Sequence, residues 1–430
     1  MTDGLTVLVA SFVALALLRV PLALAMICAG FAYLHATGQD LGLVTDQVMN
    51  SLLQSYILLA VPMFVLAANI MNAGSISERL WGAANAVVGR LPGGLGHVTI
   101  LTSVAFSSMS GSALADAAGP NLIALKMMRD IGRFRAGFAA ALAAASAVIA
   151  PIIPPSIPMV LYALNANASV GALFLGGIVP GLLMAALLMV CLYGIALREG
   201  LPREPRRSAR EVGRALGQAV LPMTIPVLLL GGIWSGAFTP TEAAAVAAAY
   251  ALLIGTLVYR AIDLRTLWAV LVSSMKVSSS IMLLIAGAFV INYALTAERV
   301  DQTVALLVNE AGLSRAGFLL LVNVIFLVLG CVIDTGTLIL VFVPMLLPSV
   351  VALGIDPVHF GVLITMNVMI GLVTPPFGML LFTLAKLGDV PLGDMVRAIW
   401  PFILVLVTAL MVVTYVPATV LALPHAFGFR

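Results

Sequence analysis

Four serines surround a glycine where a long apolar stretch in the first half of the chain is interrupted. Ser107, Ser108, Ser110 and Ser112 flank Gly111. Hydroxyl oxygens and unwound backbone carbonyls are ligands that hard cations prefer, and half-helix C-termini add partial negative charge. Because this tip has no carboxylate, a monovalent cation is favoured over a divalent one. The alternative is that small residues here only allow close helix packing.

A second polar interruption, DTGT (Asp334–Thr337), lies in the second half. Each interruption is followed by a Pro-Pro pair, in PIIPPSIPM (Pro151–Met159) and in LVTPPFGM (Leu372–Met379). Proline removes a backbone donor and blocks helix continuation, and lipid tolerates freed backbone groups only where protein or a water-filled cavity satisfies them. An isolated proline kink is the simpler alternative. Matched breaks in two halves favour a transporter's binding site.

Two cation sites are predicted, one in each half, with backbone carbonyls of the broken helices completing them. The first site comprises Ser107, Ser110, Gly111, Ser112, Ala150, Ile153 and Pro155. The second site comprises Asp334, Gly336, Thr337, Gly371, Thr374 and Pro376.

Asp116 follows the first polar tip by about one helical turn. A carboxylate near the bilayer centre costs about 2.5–3.5 kcal/mol on insertion scales, so its side chain is expected to face the protein interior or a cavity. Three roles remain open at this point: assisting cation binding, relaying a proton, or capping local backbone.

The composition predicts an all-α polytopic membrane protein. Of the 430 residues, 62% are hydrophobic and 9% are charged, against about 25% charged in soluble domains. The three cysteines, Cys28, Cys191 and Cys331, are scattered without a CxxC or Cys/His cluster, so neither a disulfide framework nor a metal site other than the alkali cations is expected. The N-terminus MTDGLTVLVA lacks the basic region of a cleavable signal peptide. No GxxxxGK[ST] motif occurs, which favours a gradient over ATP as the energy source.

Runs of about 20 apolar residues predict ten membrane crossings. They are Leu5–Leu18, Val20–Leu34, Ser51–Met71, Ala136–Asn165, Gly171–Leu197, Gly217–Trp234, Thr241–Tyr259, Leu267–Leu295, Phe360–Lys386 and Met395–Leu421. The two apolar stretches with polar centres are predicted to be re-entrant hairpins, at 95–130 and 316–354. The helices broken at Pro-Pro are placed at 136–165 and 358–387.

Basic residues indicate the orientation, because Lys and Arg concentrate in cytoplasmic loops. The loop 198–214 carries Arg198, Arg203, Arg206, Arg207, Arg210 and Arg214. With this loop in the cytoplasm, where it could also contact anionic membrane lipid, all but three of the 21 basic residues are cytoplasmic. The exceptions are Arg299, Arg315 and Arg430, and both chain termini then lie on the periplasmic side.

The same order of elements is predicted in both halves, 1–215 and 216–430. Five crossings per half is an odd number, so the second repeat is inverted relative to the first. Pro180 and Pro401 have the same sequence separation as the two Pro-Pro pairs. Thr239 and Glu242 form an S/T-x-x-E capping box that opens a helix. An intramembrane hydrolase built on Ser110 and His97 has no nucleophile elbow to support it.

Long segments resemble the DctM-like large permease subunit of TRAP (tripartite ATP-independent periplasmic) transporters, in the ion transporter superfamily. They include RLPGGLGHVTILTSVAFSSMSGSALADAA, IIPPSIPMVLYA, LGGIWSGAFTPTEAAAVAAAYALL and GIDPVHFGVLITMNVMIGLVTPPFGMLLF. Ala150 stands where many relatives have glycine, a change that a carbonyl ligand tolerates.

The resemblance implies sodium-driven import of a small organic anion, often a carboxylate, across the bacterial inner membrane by an elevator motion. It also implies a separate four-helix membrane subunit and a periplasmic substrate-binding protein, with no nucleic acid partner, and with sodium as the coupling ion instead of any cofactor. The predicted substrate residues are Ser108, Ser110, Asp116, Pro154, Thr335 and Pro375. A stand-alone sodium- or proton-coupled anion transporter, with Asp116 or Asp334 as proton carrier, and an intramembrane enzyme are the alternatives.

Overall fold

A computed structural model describes residues 3–429, and its regular structure is helical, with no strand in that range. The prediction of an all-α membrane protein is therefore confirmed. Met1, Thr2 and Arg430 lie outside the described residues, so the placement of Arg430 is not addressed. The periplasmic position of the two termini stays a prediction.

The first half contains eleven α-helices. They are α1 Asp3–Leu17, α2 Leu22–Ala36, α3 Gly42–Gln54, α4 Ala60–Ala73, α5 Ile76–Val88, α6 Gly94–Ser110, α7 Ala113–Ala118, α8 Pro120–Asp130, α9 Ala136–Ala147, α10 Ile157–Ala166 and α11 Val170–Glu199. A 3-10 turn, Tyr56–Leu59, precedes α4.

The second half contains eleven more α-helices. They are α12 Ala209–Trp234, α13 Pro240–Leu253, α14 Leu264–Ala297, α15 Val300–Glu310, α16 Arg315–Gly330, α17 Thr335–Thr337, α18 Val343–Ala352, α19 Pro357–Gly371, α20 Met379–Gly388, α21 Leu392–Tyr415 and α22 Ala418–Ala426. Two π-helical turns, Ile254–Val258 and Leu338–Phe342, follow α13 and α17.

Seven helical segments in the described part of the chain are long and apolar enough to cross a bilayer. They are Tyr56–Ala73, Val170–Glu199, Ala209–Trp234, Pro240–Val258, Leu264–Ala297, Thr335–Ala352 and Leu392–Tyr415. The helices flanking each Pro-Pro pair are individually shorter, because the prolines divide them. Two sequence-based boundaries are wrong. The predicted crossing Ser51–Met71 is interrupted at Ser55, and the last crossing ends at Tyr415 instead of Leu421 because Pro417 starts a new helix.

The helices pack into two groups. One group contains α1–α5 and α12–α15, with α14 packed against α2, α3 and α4, and α12 against α5. The other contains α6–α11 and α16–α22, with α9 packed against α8, α20 and α21, and α16 against α19. The groups meet where α4, α5 and α12 pack on α6, where α15 packs on α18, and where α14 packs on α17 and the π-helical turn that follows it. Both broken helices therefore lie in one group, together with both hairpins.

The helices before the two Pro-Pro pairs, α9 and α19, form the centre of that second group. Both are buried over almost their whole length. Helix α9 consists mainly of alanine, and small residues let membrane helices approach closely. Gly137 illustrates this fit, since a Cβ on it would lie 2.7 Å from the Cβ of Asp394 in α21. Two buried helices thus hold the breaks in place.

The arginine-rich segment between α11 and α12 is attached to the protein. The amide of Glu204 donates to the Gly89 carbonyl at 3.0 Å, and the Gly93 amide donates to the Pro202 carbonyl at 3.1 Å.

The capping box predicted at the start of α13 is confirmed: Thr239 accepts from the Glu242 amide, and the Glu242 carboxylate accepts from the Thr239 amide. The first residues of α12 and α13 are thereby fixed.

Candidate functional site

The first hairpin is helical further toward its tip than the sequence suggested. Helix α6 continues through Ser110, so the break begins at Gly111. Within this last turn the Ser107 hydroxyl donates to the Val104 carbonyl at 2.6 Å, and the Ser108 hydroxyl donates to the Ala105 carbonyl at 2.6 Å. Serine hydroxyls that bond to the preceding turn are compatible with a continuing helix. The buried Ser110 hydroxyl has no partner among the described residues.

Gly111 brings the hairpin tip against the first broken helix. Its φ is +59°, which favours glycine, and a Cβ on it would overlap the Pro155 carbonyl oxygen. The next residue, Ser112, is the N-cap of α7, where its hydroxyl accepts from the Ala115 amide at 3.3 Å. The tip therefore joins the C-terminus of α6 to the N-terminus of α7 beside the Pro-Pro pair.

The first broken helix is unwound between Ala147, where α9 ends, and Ile157, where α10 begins. Ser156 is the N-cap of α10: its hydroxyl accepts from the Met159 amide at 3.2 Å and donates to the Pro151 carbonyl. The predicted ligands in this segment, Ala150, Ile153, Pro154 and Pro155, are all buried. The Pro154-Pro155 peptide bond is cis, as is Pro375-Pro376.

In the second hairpin the predicted ligands Asp334 and Thr337 bond to each other. Asp334 is the N-cap of α17, and its carboxylate accepts from the Thr337 amide at 3.0 Å and from the Thr337 hydroxyl at 2.6 Å. Helix α17 continues through the π-helical turn into α18. Asp334 is half-buried and Thr337 is buried.

The second broken helix approaches the second hairpin through two glycines. A Cβ on Gly371 would lie 2.8 Å from the Gly330 Cα, so the two backbones are in direct contact. Thr374 donates to the Ile370 carbonyl at 2.8 Å. Pro375 is half-buried and Pro376 is exposed. This break is therefore more open than the first, although both contain a Pro-Pro pair.

The two hairpin tips line one cavity of about 270 Å³. Gly111 and Ser112 come from the first tip, and Asp334, Thr335 and Gly336 come from the second. The cavity also touches both broken helices, through Pro151, Ile157, Pro158, Leu161, Met369 and Leu372. Elements separated by more than half the sequence are thus brought together.

Helix ends of both polarities open onto this cavity. The N-terminal residues of α10 and α17 line it, and those positions carry partial positive charge from the helix dipole. Gly111 and Leu372, the C-cap residues of α6 and α19, also line it, and helix C-termini carry partial negative charge. An anion and a cation can therefore be accommodated side by side with few charged side chains.

Asp116 belongs to a buried polar network beside the cavity lining. It is fully buried, and one carboxylate oxygen accepts from the Asn121 side-chain amide at 2.9 Å. Asn121 also donates to the Ser103 hydroxyl at 3.1 Å. The other carboxylate oxygen of Asp116 has no partner among the described residues. Full burial agrees with the expectation that this carboxyl faces the protein interior.

Not every predicted site residue reaches the cavity wall. Gly111, Ser112, Asp334, Thr335 and Gly336 line it. The remaining ones do not line it: Ser107, Ser108, Ser110, Asp116, Ala150, Ile153, Pro154, Pro155, Thr337, Gly371, Thr374, Pro375 and Pro376. Their assignment to the sites stays a prediction.

One wall of the cavity was missed by reasoning from the sequence. Ser280, Ile281 and Leu284 of α14 line it from the other helix group. Leu284 lies close to the second tip, since a Cβ on Gly336 would be 2.8 Å from its Cδ2 atom. The serine-rich run VSSSI in α14 was the available signal, but an unbroken hydrophobic crossing gave no reason to single it out.

Across the described residues no group of three or more His, Cys, Asp or Glu side chains could hold a metal ion. The cavity lining instead includes the hydroxyl residues Ser112, Ser280 and Thr335 and the carboxylate of Asp334, and oxygen ligands of these kinds suit hard cations.

Comparison with known proteins identifies the chain's relatives as membrane transporters. The sequence matches the family model of the DctM component of tripartite ATP-independent periplasmic transporters over residues 9–419. It is 39% identical over 408 residues to the sialic acid TRAP transporter large permease SiaM of Vibrio cholerae, covering 95% of each chain. It is also 39% identical over 375 residues to the C4-dicarboxylate TRAP transporter large permease DctM of Pseudomonas aeruginosa, covering 87% of this chain and 88% of that one.

The fold resembles that of the YdaH transporter of Alcanivorax borkumensis. The TM-score is 0.57 over 82% of this chain and 84% of that chain, at 14% sequence identity, so the likeness concerns the fold alone. The family match and the identities to permeases exclude the enzyme alternative. The chain therefore belongs to the DctM family, the large multi-pass permease component of TRAP transporters.

Proposed function

We propose that this permease imports a small organic anion together with sodium ions, and that a periplasmic binding protein delivers the anion. The observation that carries the proposal is the cavity shared by the two hairpin tips and both broken helices. Helix N-termini there favour an anion, while helix C-termini and tip oxygens favour cations. This combination of helix ends within one space supports a symporter.

The substrate class is an organic acid of modest size. The relatives named above are permeases for sialic acid and for C4-dicarboxylates, and both are acids. The cavity volume of about 270 Å³ lies just below the roughly 300–1,000 Å³ of most ligand pockets. Since the lining is apolar apart from the helix ends and tips, a compact carboxylate held at its charged group fits best.

Sodium supplies the driving force in this proposal. Each positive charge that moves inward gains about 2.3 kcal/mol per 100 mV of membrane potential. Two sodium ions with a monoanion carry one net positive charge inward, so both the sodium gradient and the potential contribute. The two sites are those assigned from the sequence, one at each hairpin tip.

The packing of the helices supports an elevator motion. Both hairpins and both broken helices belong to the helix group α6–α11 and α16–α22, whereas α14 of the other group supplies only one cavity wall. A rigid movement of the group α6–α11 and α16–α22 against the group α1–α5 and α12–α15 would carry the cavity across the membrane. The separate four-helix subunit would then pack against the stationary group. The complex would lie in the inner membrane, with both chain termini of the permease on the periplasmic side.

Uptake by proteoliposomes tests the proposal. The permease is reconstituted with a small membrane subunit and a periplasmic binding protein of the TRAP type from the same organism, and radiolabelled succinate and sialic acid are supplied under separate sodium and proton gradients. Uptake driven by sodium, and lost without the binding protein, is expected. Uptake that persists without the binding protein would instead support a stand-alone transporter.

Removal of the Ser110 or Thr337 hydroxyl is expected to weaken sodium binding more than it slows transport. Ser110→Ala and Thr337→Ala should each raise the sodium concentration for half-maximal uptake by roughly fivefold, about 1 kcal/mol for a lost ligand oxygen. The maximal rate at saturating sodium should change less. Unchanged sodium dependence in both variants would contradict the assignment of the two sites.

Proton coupling is the second candidate, and it rests on Asp116. A fully buried carboxylate with one oxygen unpartnered is costly when charged, so a neutral, proton-bearing form is favoured. If protons drive uptake, Asp116→Asn should remove uptake under a pH gradient, because the amide cannot release a proton. Sodium-driven uptake in the same variant should persist if sodium is the coupling ion.

A further inference from the structure

A second cavity, of about 580 Å³, lies at the end of the membrane helices that carries the arginine-rich segment. It is bounded by the start of α9, the end of α11 and the first turns of α21. Its wall carries four charged side chains of both signs, Arg135, Arg397, Glu199 and Asp394. Nothing in the proposed transport cycle uses this space.

The four charged groups do not neutralise one another. None of their side chains forms a hydrogen bond or ion pair with another residue of the described part of the chain. Two guanidinium groups and two carboxylates around one cavity present both a site for a phosphate and a site for an ammonium group. A ligand with both charges satisfies all four groups, whereas a simple anion leaves the carboxylates unpaired.

The cavity is held open by tight packing at its base. Gly137 in the first turn of α9 lies against the backbone of Asp394, where a Cβ would come within 2.8 Å of its carbonyl carbon. Phe138 is buried against Phe402, with ring centroids 5.6 Å apart. The relative positions of α9 and α21, and hence the spacing of their charges, are therefore fixed by contacts that the charges do not provide.

An apolar track leads from the cavity along the membrane surface of α21. Pro401, one helical turn after Arg397, lines the cavity, and Leu404 continues the same face with 70% exposure. Trp400 is 55% exposed beside it, and tryptophan is enriched at the membrane interface. Leu197 in the last turns of α11 is also 55% exposed. Acyl chains can follow this track while the head group occupies the cavity.

We propose that this cavity binds the head group of a zwitterionic phospholipid with a primary ammonium, of the phosphoethanolamine type. The phosphate pairs with Arg135 and Arg397, and the ammonium donates hydrogen bonds to Glu199 and Asp394. A choline head group shares the phosphate but has no N–H donor, so it binds less well. The apolar track favours a lipid over a free phosphate ester of the same chemistry.

Native mass spectrometry of the purified permease tests this proposal with short-chain phosphatidylethanolamine, phosphatidylcholine and phosphatidylglycerol as probes. We expect phosphatidylethanolamine to be retained about threefold better than the other two, as weak exposed ion pairs allow. The variant Arg135→Ala/Arg397→Ala should lose retention of all three lipids. The nearly isosteric Glu199→Gln/Asp394→Asn should lose only the preference for phosphatidylethanolamine.

Matched controls keep the outcome specific. Arg133→Ala/Arg206→Ala removes the same charge from positions that do not line the cavity, and it should retain the lipid preference. Equal retention of the three lipids, or an equal loss in this control, would overturn the proposal. If equimolar free phosphoethanolamine displaced the lipid, the ligand of this cavity would be the free phosphate ester and the proposed lipid site would be wrong.

Discussion

Replacing Gly111 with alanine should reduce uptake at least tenfold. The residue lines the cavity shared by the two hairpin tips and has a φ of +59°, and a Cβ on it would overlap the Pro155 carbonyl oxygen. The left-handed conformation costs a non-glycine residue about 1–2 kcal/mol, and overpacking adds about 1–3 kcal/mol. The tip would have to move away from the first broken helix, which separates the oxygens assigned to the first cation site.

Gly132→Ala is the matched control for this prediction. Gly132 has a φ of +68°, but a Cβ there would have no heavy atom within 4 Å. Gly132→Ala therefore introduces the backbone strain without the steric conflict. Uptake by this variant should fall by less than about threefold at equal protein level in the membrane. Equal losses in both variants would show that strain alone, and not the contact with Pro155, accounts for the effect.

Replacing Asp334 with serine should raise the sodium concentration for half-maximal uptake roughly tenfold, about 1.4 kcal/mol. Serine is nearly as good an N-cap as aspartate, so the start of α17 remains capped. The variant therefore removes the carboxylate charge from the cavity wall while it keeps the helix end. Uptake assays over a range of sodium concentrations, at constant ionic strength, measure the shift.

Asp356→Ser is the corresponding control. Asp356 is also an N-cap, accepting from the Val358 amide at 2.7 Å, but it does not line the central cavity. The sodium dependence of uptake by the Asp356→Ser variant should match that of the unmodified permease. If Asp334→Ser also leaves the sodium dependence unchanged, Asp334 is only a helix cap, and the second cation site lies elsewhere.

The broad fold could be predicted because its signals are local. Two adjacent prolines remove two backbone donors from a helix, so the Pro-Pro pairs mark the breaks between α9 and α10 and between α19 and α20, whereas the single prolines Pro180 and Pro401 lie inside continuous helices. Composition alone indicates membrane helices, and Thr239 with Glu242 marks the start of α13. The approach of the hairpin tips is not local; the matched breaks led us to expect it, and Gly111 and Gly336 line one cavity in the structure.

Details of side-chain direction could not be predicted in the same way. Ser107 and Ser108 bond to carbonyls of their own helix, an option that the sequence does not distinguish from cation ligation. The wall formed by Ser280 and Leu284 depends on how α14 rotates against the other helix group, which only tertiary packing determines. The two breaks also differ in exposure, since Pro155 is buried and Pro376 is exposed.

Thiol labelling at both hairpin tips tests the central claim most directly. Leu114→Cys and Thr335→Cys, at cavity-lining positions that are not assigned as sodium ligands, are introduced singly into a permease whose three native cysteines are replaced by alanine, and labelling rates are measured in sodium and in potassium. If one shared cavity holds the ions, sodium should slow labelling at both positions severalfold, and potassium should not. Protection at neither tip, or at one tip alone, would contradict a common site formed by the two hairpins.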